Sequence, residues 1–157
     1  MRNDAFRQRG ANECFSKAGL AEGTSAATIQ IAAPNGAGID FAIDGVAGHK
    51  ADTDNIALTA AAQQAALTTC LYLIMINAAG TVSSKRGEAQ LNADLDAGKV
   101  ALQWPECDAD KAPIGGIKIR CNNAATFTAG TTDLSATDVV ETIYDFAGGL
   151  PSNPQIT

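Results

Sequence analysis

Short runs in which apolar and polar residues alternate recur along this chain, separated by turns rich in glycine, proline and asparagine. Thr28-Ile29-Gln30-Ile31 alternates, Pro34-Asn35-Gly36 turns the chain, and Ile39 to Gly45 alternates again with Ile39, Phe41 and Ile43 on one face. A period of two puts every second side chain on the same side of a strand, so these runs predict half-buried strands. Ile56 to Thr59 is a shorter candidate. Cys70 to Asn77 is continuously apolar, which predicts a strand buried on both faces. Asn77-Ala78-Ala79-Gly80 then turns the chain, and Thr81 to Lys85 returns as a polar hairpin partner. Val100 to Trp104 (stopped by Pro105), Ile114 to Cys121, Thr126 to Thr128 and Val139 to Phe146 complete the strand candidates. Ala60 to Leu67 is ambiguous: Ala and Gln favour a helix, but eight residues without a strong apolar face make a marginal one. No stretch reads as a βαβ unit. The expected fold is therefore all-β, an antiparallel sandwich or barrel of jelly-roll-like type spanning residues 25–150.

The two ends depart from this grammar. Residues 1–24 read as an extended N-terminal arm with at most one helical turn, because Gly10 interrupts the segment and only Phe6, Phe15 and Leu20 could anchor it. Residues 151–157 read as an irregular C-terminal tail, with Pro151 and Pro154 preventing regular structure. Charge is divided between the ends. Within residues 1–17, Arg2, Arg7, Arg9 and Lys17 outnumber Asp4 and Glu13. Residues 131–157 carry Asp133, Asp138, Glu141 and Asp145 and no basic residue. A basic arm could lie on the acidic face of a neighbouring copy, electrostatics setting the register and apolar contacts supplying affinity.

Composition narrows the function. Apolar residues make up 46% of the 157-residue chain but aromatics only 5%, so the core is assembled from small aliphatic groups. Each such contact contributes little, and a chain of this kind gains from neighbouring subunits. A net charge of -6 argues against nucleic acid or an anionic membrane as partner. The longest apolar run, Leu71 to Ile76, is too short to cross a bilayer, and the polar start Met1-Arg2-Asn3-Asp4 predicts no secretory signal. Cys14, Cys70, Cys107 and Cys121 are irregularly spaced and His49 is the only histidine. The expectation is reduced thiols, Cys70 in the core, and no zinc site.

Candidate chemistry is sparse. Asp52-Thr53-Asp54-Asn55, Asp94-Leu95-Asp96 and Asp108-Ala109-Asp110 are dense in oxygen ligands, yet none completes a calcium loop. Acidic clusters of this kind more often cap nearby backbone amides. Ser83-Ser84-Lys85 has a Ser-x-Lys spacing within an expected hairpin strand. Lys118 and Arg120 share one strand face without stacking aromatics. No nucleophile elbow or phosphate loop is present, and the expectation is a protein without catalytic residues, cofactor or metal.

Five phrases in order carry a resemblance over roughly residues 28–150. They are Thr53-Asp54-Asn55-Ile56-Ala57-Leu58-Thr59 leading to Thr69-Cys70-Leu71-Tyr72-Leu73, the hairpin Asn77-Ala78-Ala79-Gly80-Thr81-Val82, Leu102-Gln103-Trp104-Pro105, Ala112 to Ile119, and Gly130-Thr131-Thr132-Asp133-Leu134. The succession resembles the head decoration, or cement, proteins of tailed bacteriophages. Members tend to carry a proline-bearing linker after the Trp-Pro phrase, where this chain has Cys107-Asp108-Ala109-Asp110. The resemblance implies a non-enzymatic virion protein, assembled in the bacterial host cytoplasm and placed on the capsid surface. Its partners would be the major capsid protein and copies of itself, a homotrimer being the expected oligomer. Arg2, Phe6, Arg7, Arg9 and Phe15 in the arm, together with Trp104, are the candidate contact residues, although Trp104 also reads as a core residue closing its strand. Two other readings stay open: a head or tail fibre module binding a host surface, and a calcium- or carbohydrate-binding β module using the Asp52/Asp54 or Asp94/Asp96 loops.

Overall fold

The computed structural model describes residues 12–33 and 36–151. Among them, strands β1 (Glu13–Cys14), β2 (Leu20–Glu22), β3 (Thr28–Ile31), β4 (Ile39–Ile43), β5 (Val46–Lys50), β6 (Thr53–Ala57), β7 (Thr68–Asn77), β8 (Val82–Arg86) and β9 (Gln90–Leu91) precede a short helix, α1 (Asn92–Asp96). Strands β10 (Lys111–Cys121) and β11 (Val139–Asp145) follow. Every pairing is antiparallel. The expected all-β antiparallel class is what the chain adopts, and its layers are those of a sandwich.

The main sheet runs β11-β10-β7-β8, with β9 continuing the pairing on β7. Directly opposed residues share a face. Cys70, Tyr72 and Ile74 of β7 therefore lie with Ile119, Ile117 and Gly115 of β10 on one face, and Leu71 and Leu73 lie with Lys118 and Gly116 on the other. Both faces of β7 are buried, as its unbroken apolar run demands. β10 is central as well, and Pro113 is accommodated there by a bulge between Pro113 and Gly115.

Two three-stranded sheets, β2-β3-β6 and β1-β4-β5, complete the fold. Leu20 of β2 lies against Gly115, where a Cβ would stand 2.2 Å from the leucine methyl. Thr59, just after β6, exchanges hydrogen bonds with Ser84 of β8, at 2.8 and 2.9 Å. The opposite face of the main sheet is crossed by the segment between β8 and β10. Trp104 covers Gly116 at its middle, Asp96 reaches Arg120 on one side, and Asp108 reaches Lys85 on the other.

Several local outcomes differ from the sequence reading. β4 and β5 form a hairpin through Asp44-Gly45, both in left-handed backbone (φ 51° and 76°), as a two-residue turn of this hand requires. β5 itself, Val-Ala-Gly-His-Lys, has no alternation to announce it because it is an exposed edge strand. Ala60 to Leu67 is not helical. It runs irregularly past Phe127, held by a two-way backbone bridge from Gln64. Val100 to Trp104 forms no strand beyond a single bridge residue at Leu102, and Leu102 and Trp104 are buried against the sheet. Residues 12–24, read from sequence as arm, are built into the body. Cys14, Ala18 and Leu20 are buried, and β1 and β2 pair with β4 and β3. The rest of the arm, together with Pro34, Asn35 and the tail from Ser152, lies outside the described residues.

Candidate interaction surface

The acidic loops are occupied in holding backbone and pairing with cations. Asp54 accepts hydrogen bonds from the Thr24 amide (3.0 Å), the Thr24 hydroxyl and the Asn55 amide (2.7 Å), and the Thr24 donors hold its carboxyl below the usual range. Asp52 accepts from the Gly38 amide at 2.9 Å. Gly38 is itself obligatory there: its φ is +70°, and a Cβ would stand 2.1 Å from the Lys50 carbonyl oxygen. Asp96 takes a bidentate pair from Arg120 at 2.8 and 2.7 Å, which depresses its carboxyl. Asp108 bridges Lys85 (2.9 Å) and Lys111 (3.0 Å) and is depressed by both. Among the described residues no group of three or more His, Cys, Asp or Glu side chains is arranged to hold a metal ion.

The Ser-x-Lys spacing is divided among other partners. Ser83 accepts from Lys111 at 3.1 Å, Ser84 binds Thr59, and Lys85 binds Asp108. Polar core residues that sequence reasoning passed over are structural. Gln64 is fully buried, its amide nitrogen donating to the Thr68 and Ile119 carbonyls at 3.0 Å each and its amide oxygen accepting from the Tyr72 hydroxyl at 3.3 Å. Asn92 accepts from Thr69 (2.6 Å) and donates to the Cys121 carbonyl (2.9 Å). No local pattern could have revealed Gln64, because Ile119 is 55 positions away.

The predicted contact residues part company. Arg2, Phe6, Arg7 and Arg9 lie outside the described residues. Phe15 is exposed (57%) and lines an open hollow of about 460 Å³ with Asp40, Ala47, Gly48 and His49. His49 pairs there with Asp40 at 2.7 Å. Trp104 is corrected: it is only 4% exposed, packed edge-on against Tyr144 and Phe146, and serves the core instead of an interface. Its indole needs the space that Gly116 leaves on the sheet face.

Other large apolar side chains are exposed where strands end or sheets stop. Val46 lies on edge strand β5, Val140 on edge strand β11, and Leu67 and Leu91 stand together where β9 joins β7. Leu67 also holds a left-handed backbone (φ 58°), a conformation disfavoured for leucine by roughly 1–2 kcal/mol.

No protein-family model, no curated protein and no solved structure matches the chain.

The thiols give a direct check on the packing. All four cysteines are free; Cys14, Cys70 and Cys121 are buried and Cys107 is partly accessible. Burial raises every one of these thiols, Cys70 to about 11. A maleimide reagent at neutral pH is expected to modify Cys107 slowly in the native protein and all four thiols after denaturation. Mass spectrometry of the labelled peptides gives the count, and native labelling of Cys70 or Cys121 would contradict the packing of β7 against β10.

Proposed function

We infer that the chain is a structural protein of a bacteriophage virion, a decoration protein that binds the outer surface of the head shell as an oligomer of identical copies. A trimer on the local threefold axes is the arrangement that suits such a shell. The observation that supports this reading is the placement of exposed apolar side chains. Phe15, Val46, Leu67, Leu91 and Val140 stand at the rims of a β body whose acidic loops are tied into its own backbone. Rim side chains on a rigid body contact a surface at little cost in conformational entropy. Leu67 favours the same reading, because a strained and exposed leucine adds nothing to the fold that glycine would not. The order of phrases from Thr53 to Leu134 points the same way.

The test is binding to heads of the phage that carries this sequence, stripped of surface proteins and mixed with the purified chain. The expected result is saturable co-sedimentation and added density over the threefold positions in electron micrographs. Deleting residues 1–11 leaves Cys14, Ala18 and Leu20 in the core and is expected to lower occupancy at least about tenfold. A chain that never sediments with heads, or that turns over a small compound as a monomer, would refute the reading.

A further inference from the structure

Strand β11 ends the main sheet, pairing with β10 on one side only. Its exposed positions include Val140, at 49% exposure, and Thr142. An open edge with apolar character is a template for another strand unless something blunts it. The two faces beside this edge differ in charge. Glu141, Ile143 and Asp145 share the face of Ile119, Ile117 and Gly115. Val140, Thr142 and Tyr144 share the face of Arg120, Lys118 and Gly116. Near the first face, Glu22 lies on β2, and Asp145 accepts from the Leu20 amide of the same strand at 2.9 Å. Among the described residues, Glu22, Asp133, Asp138, Glu141 and Asp145 form no ion pair. On the second face Arg120 is already neutralised by Asp96, leaving Lys118.

Residues 1–11 carry complementary charge, with Arg2, Arg7 and Arg9 against Asp4. In an extended chain, period two sorts Ala5, Arg7 and Arg9 onto one side and Asp4, Phe6 and Gln8 onto the other. The geometry points to residues 4–9 of a second copy adding as a strand to the free edge of β11, with Arg7 and Arg9 toward the Glu141 face and Phe6 toward Val140. The same register carries Asp4 and Gln8 to the face that holds Lys118.

At Asn12 the chain is heading away from β11, and on that heading the added strand is assigned to a second copy. Cys14 and Gly148 exchange backbone hydrogen bonds as an antiparallel bridge, at 3.2 and 2.8 Å. Going back from Cys14 to Asn12 thus follows the chain past Gly148 toward Leu150, away from β11. Asn12 is fixed on that side by the Ala109 carbonyl (2.6 Å) and the Asp44 amide (2.7 Å). Eleven extended residues reach about 36–40 Å, ample to cross to a neighbour.

The inference rests on the self-association in the proposed function, and its test uses the purified chain without heads. In low salt the full chain is expected to sediment as an oligomer. Its amides within residues 140–144 should exchange about tenfold or more slowly than in the chain lacking residues 1–11. Molar salt, or the double substitution Arg7→Glu/Arg9→Glu, is expected to return it to monomer with fast exchange, and adding Glu141→Lys to that double variant to restore assembly. A monomeric full chain overturns the proposal. So does an oligomer whose β11 amides are indifferent to the arm, or a monomer whose β11 amides are protected, which would place the arm on its own edge. Loss of this assembly with head binding intact removes the inference alone. Intact assembly without head binding removes the proposed function alone.

Discussion

Replacing Gln64 with alanine is expected to lower the unfolding free energy by about 3 kcal/mol, a large share of what a domain of this size possesses. The side chain is fully buried and satisfies three partners on two strands: the Thr68 carbonyl and the Tyr72 hydroxyl on β7, and the Ile119 carbonyl on β10. Truncation leaves two carbonyls and a hydroxyl without those partners in a region sealed by Phe127, whose ring meets Tyr72 edge-on at 5.5 Å. Stranded buried groups cost more than a hydrogen bond contributes, so the loss exceeds what the missing methylenes alone would give. Leucine at position 64 would restore volume but none of the bonds and is expected to recover less than half. The neighbouring exposed Gln63 provides the control, with alanine there expected to stay within about 0.5 kcal/mol. Urea unfolding followed by circular dichroism measures all three. A Gln64→Ala midpoint equal to that of the Gln63 control would show that the buried amide is not holding β7 and β10 together.

That residue also marks the limit of what the sequence discloses. Strands whose apolar pattern is set by burial on one or both faces were legible: β3, β4, β7, β8, β10 and β11 follow from alternation or from a continuous run. Val46 to Lys50 was not, because an edge strand facing solvent has no pattern to maintain. Ala60 to Leu67 resists reading for the opposite reason. Its helix propensity is local, whereas the contacts that decide it, through Gln64 to Phe127 and Ile119, are made only when distant segments meet. The acidic loops were read as amide caps, and Asp52 and Asp54 act as such; the pairing of Asp96 with Arg120 and of Asp108 with Lys85 depended on the crossing of the segment before β10. Of the exposed large apolar side chains, Phe15 was a contact candidate from sequence, while Val46, Leu67, Leu91 and Val140 became visible only once sheet edges were defined. Trp104 reads from sequence both as a contact candidate and as a core residue closing its strand, and the structure buries it. Nothing local to it announces that Gly116, twelve residues on, clears the place it fills.

The Gly116–Trp104 contact carries the other large expectation: Gly116→Ala should destabilise the protein by about 3 kcal/mol, and part of that loss should be recoverable at Trp104. A Cβ on Gly116 would stand 2.1 and 2.4 Å from two ring carbons of Trp104 and 3.1 Å from the Tyr72 carbonyl oxygen. The indole has little room to withdraw, since Tyr144 and Phe146 hold it edge-on at centroid distances of 5.7 and 5.2 Å. Forcing a methyl into such a contact costs typically 1–3 kcal/mol, and the backbone carbonyl behind it keeps the cost at the upper end. Trp104→Phe alone should also destabilise, by roughly 1–3 kcal/mol, because a smaller ring leaves a void over the glycine. The double variant should be less destabilised than the sum of the singles, by about 1 kcal/mol or more, because the methyl then enters space the indole has vacated. Trp104 is the chain's only tryptophan, so its fluorescence reports the site without interference. A blue-shifted, iodide-resistant emission is expected in the native protein, moving red in Gly116→Ala as the ring is displaced. Strict additivity between the two positions, or a solvent-exposed emission in the parent chain, would return Trp104 to the surface and reopen it as a contact residue.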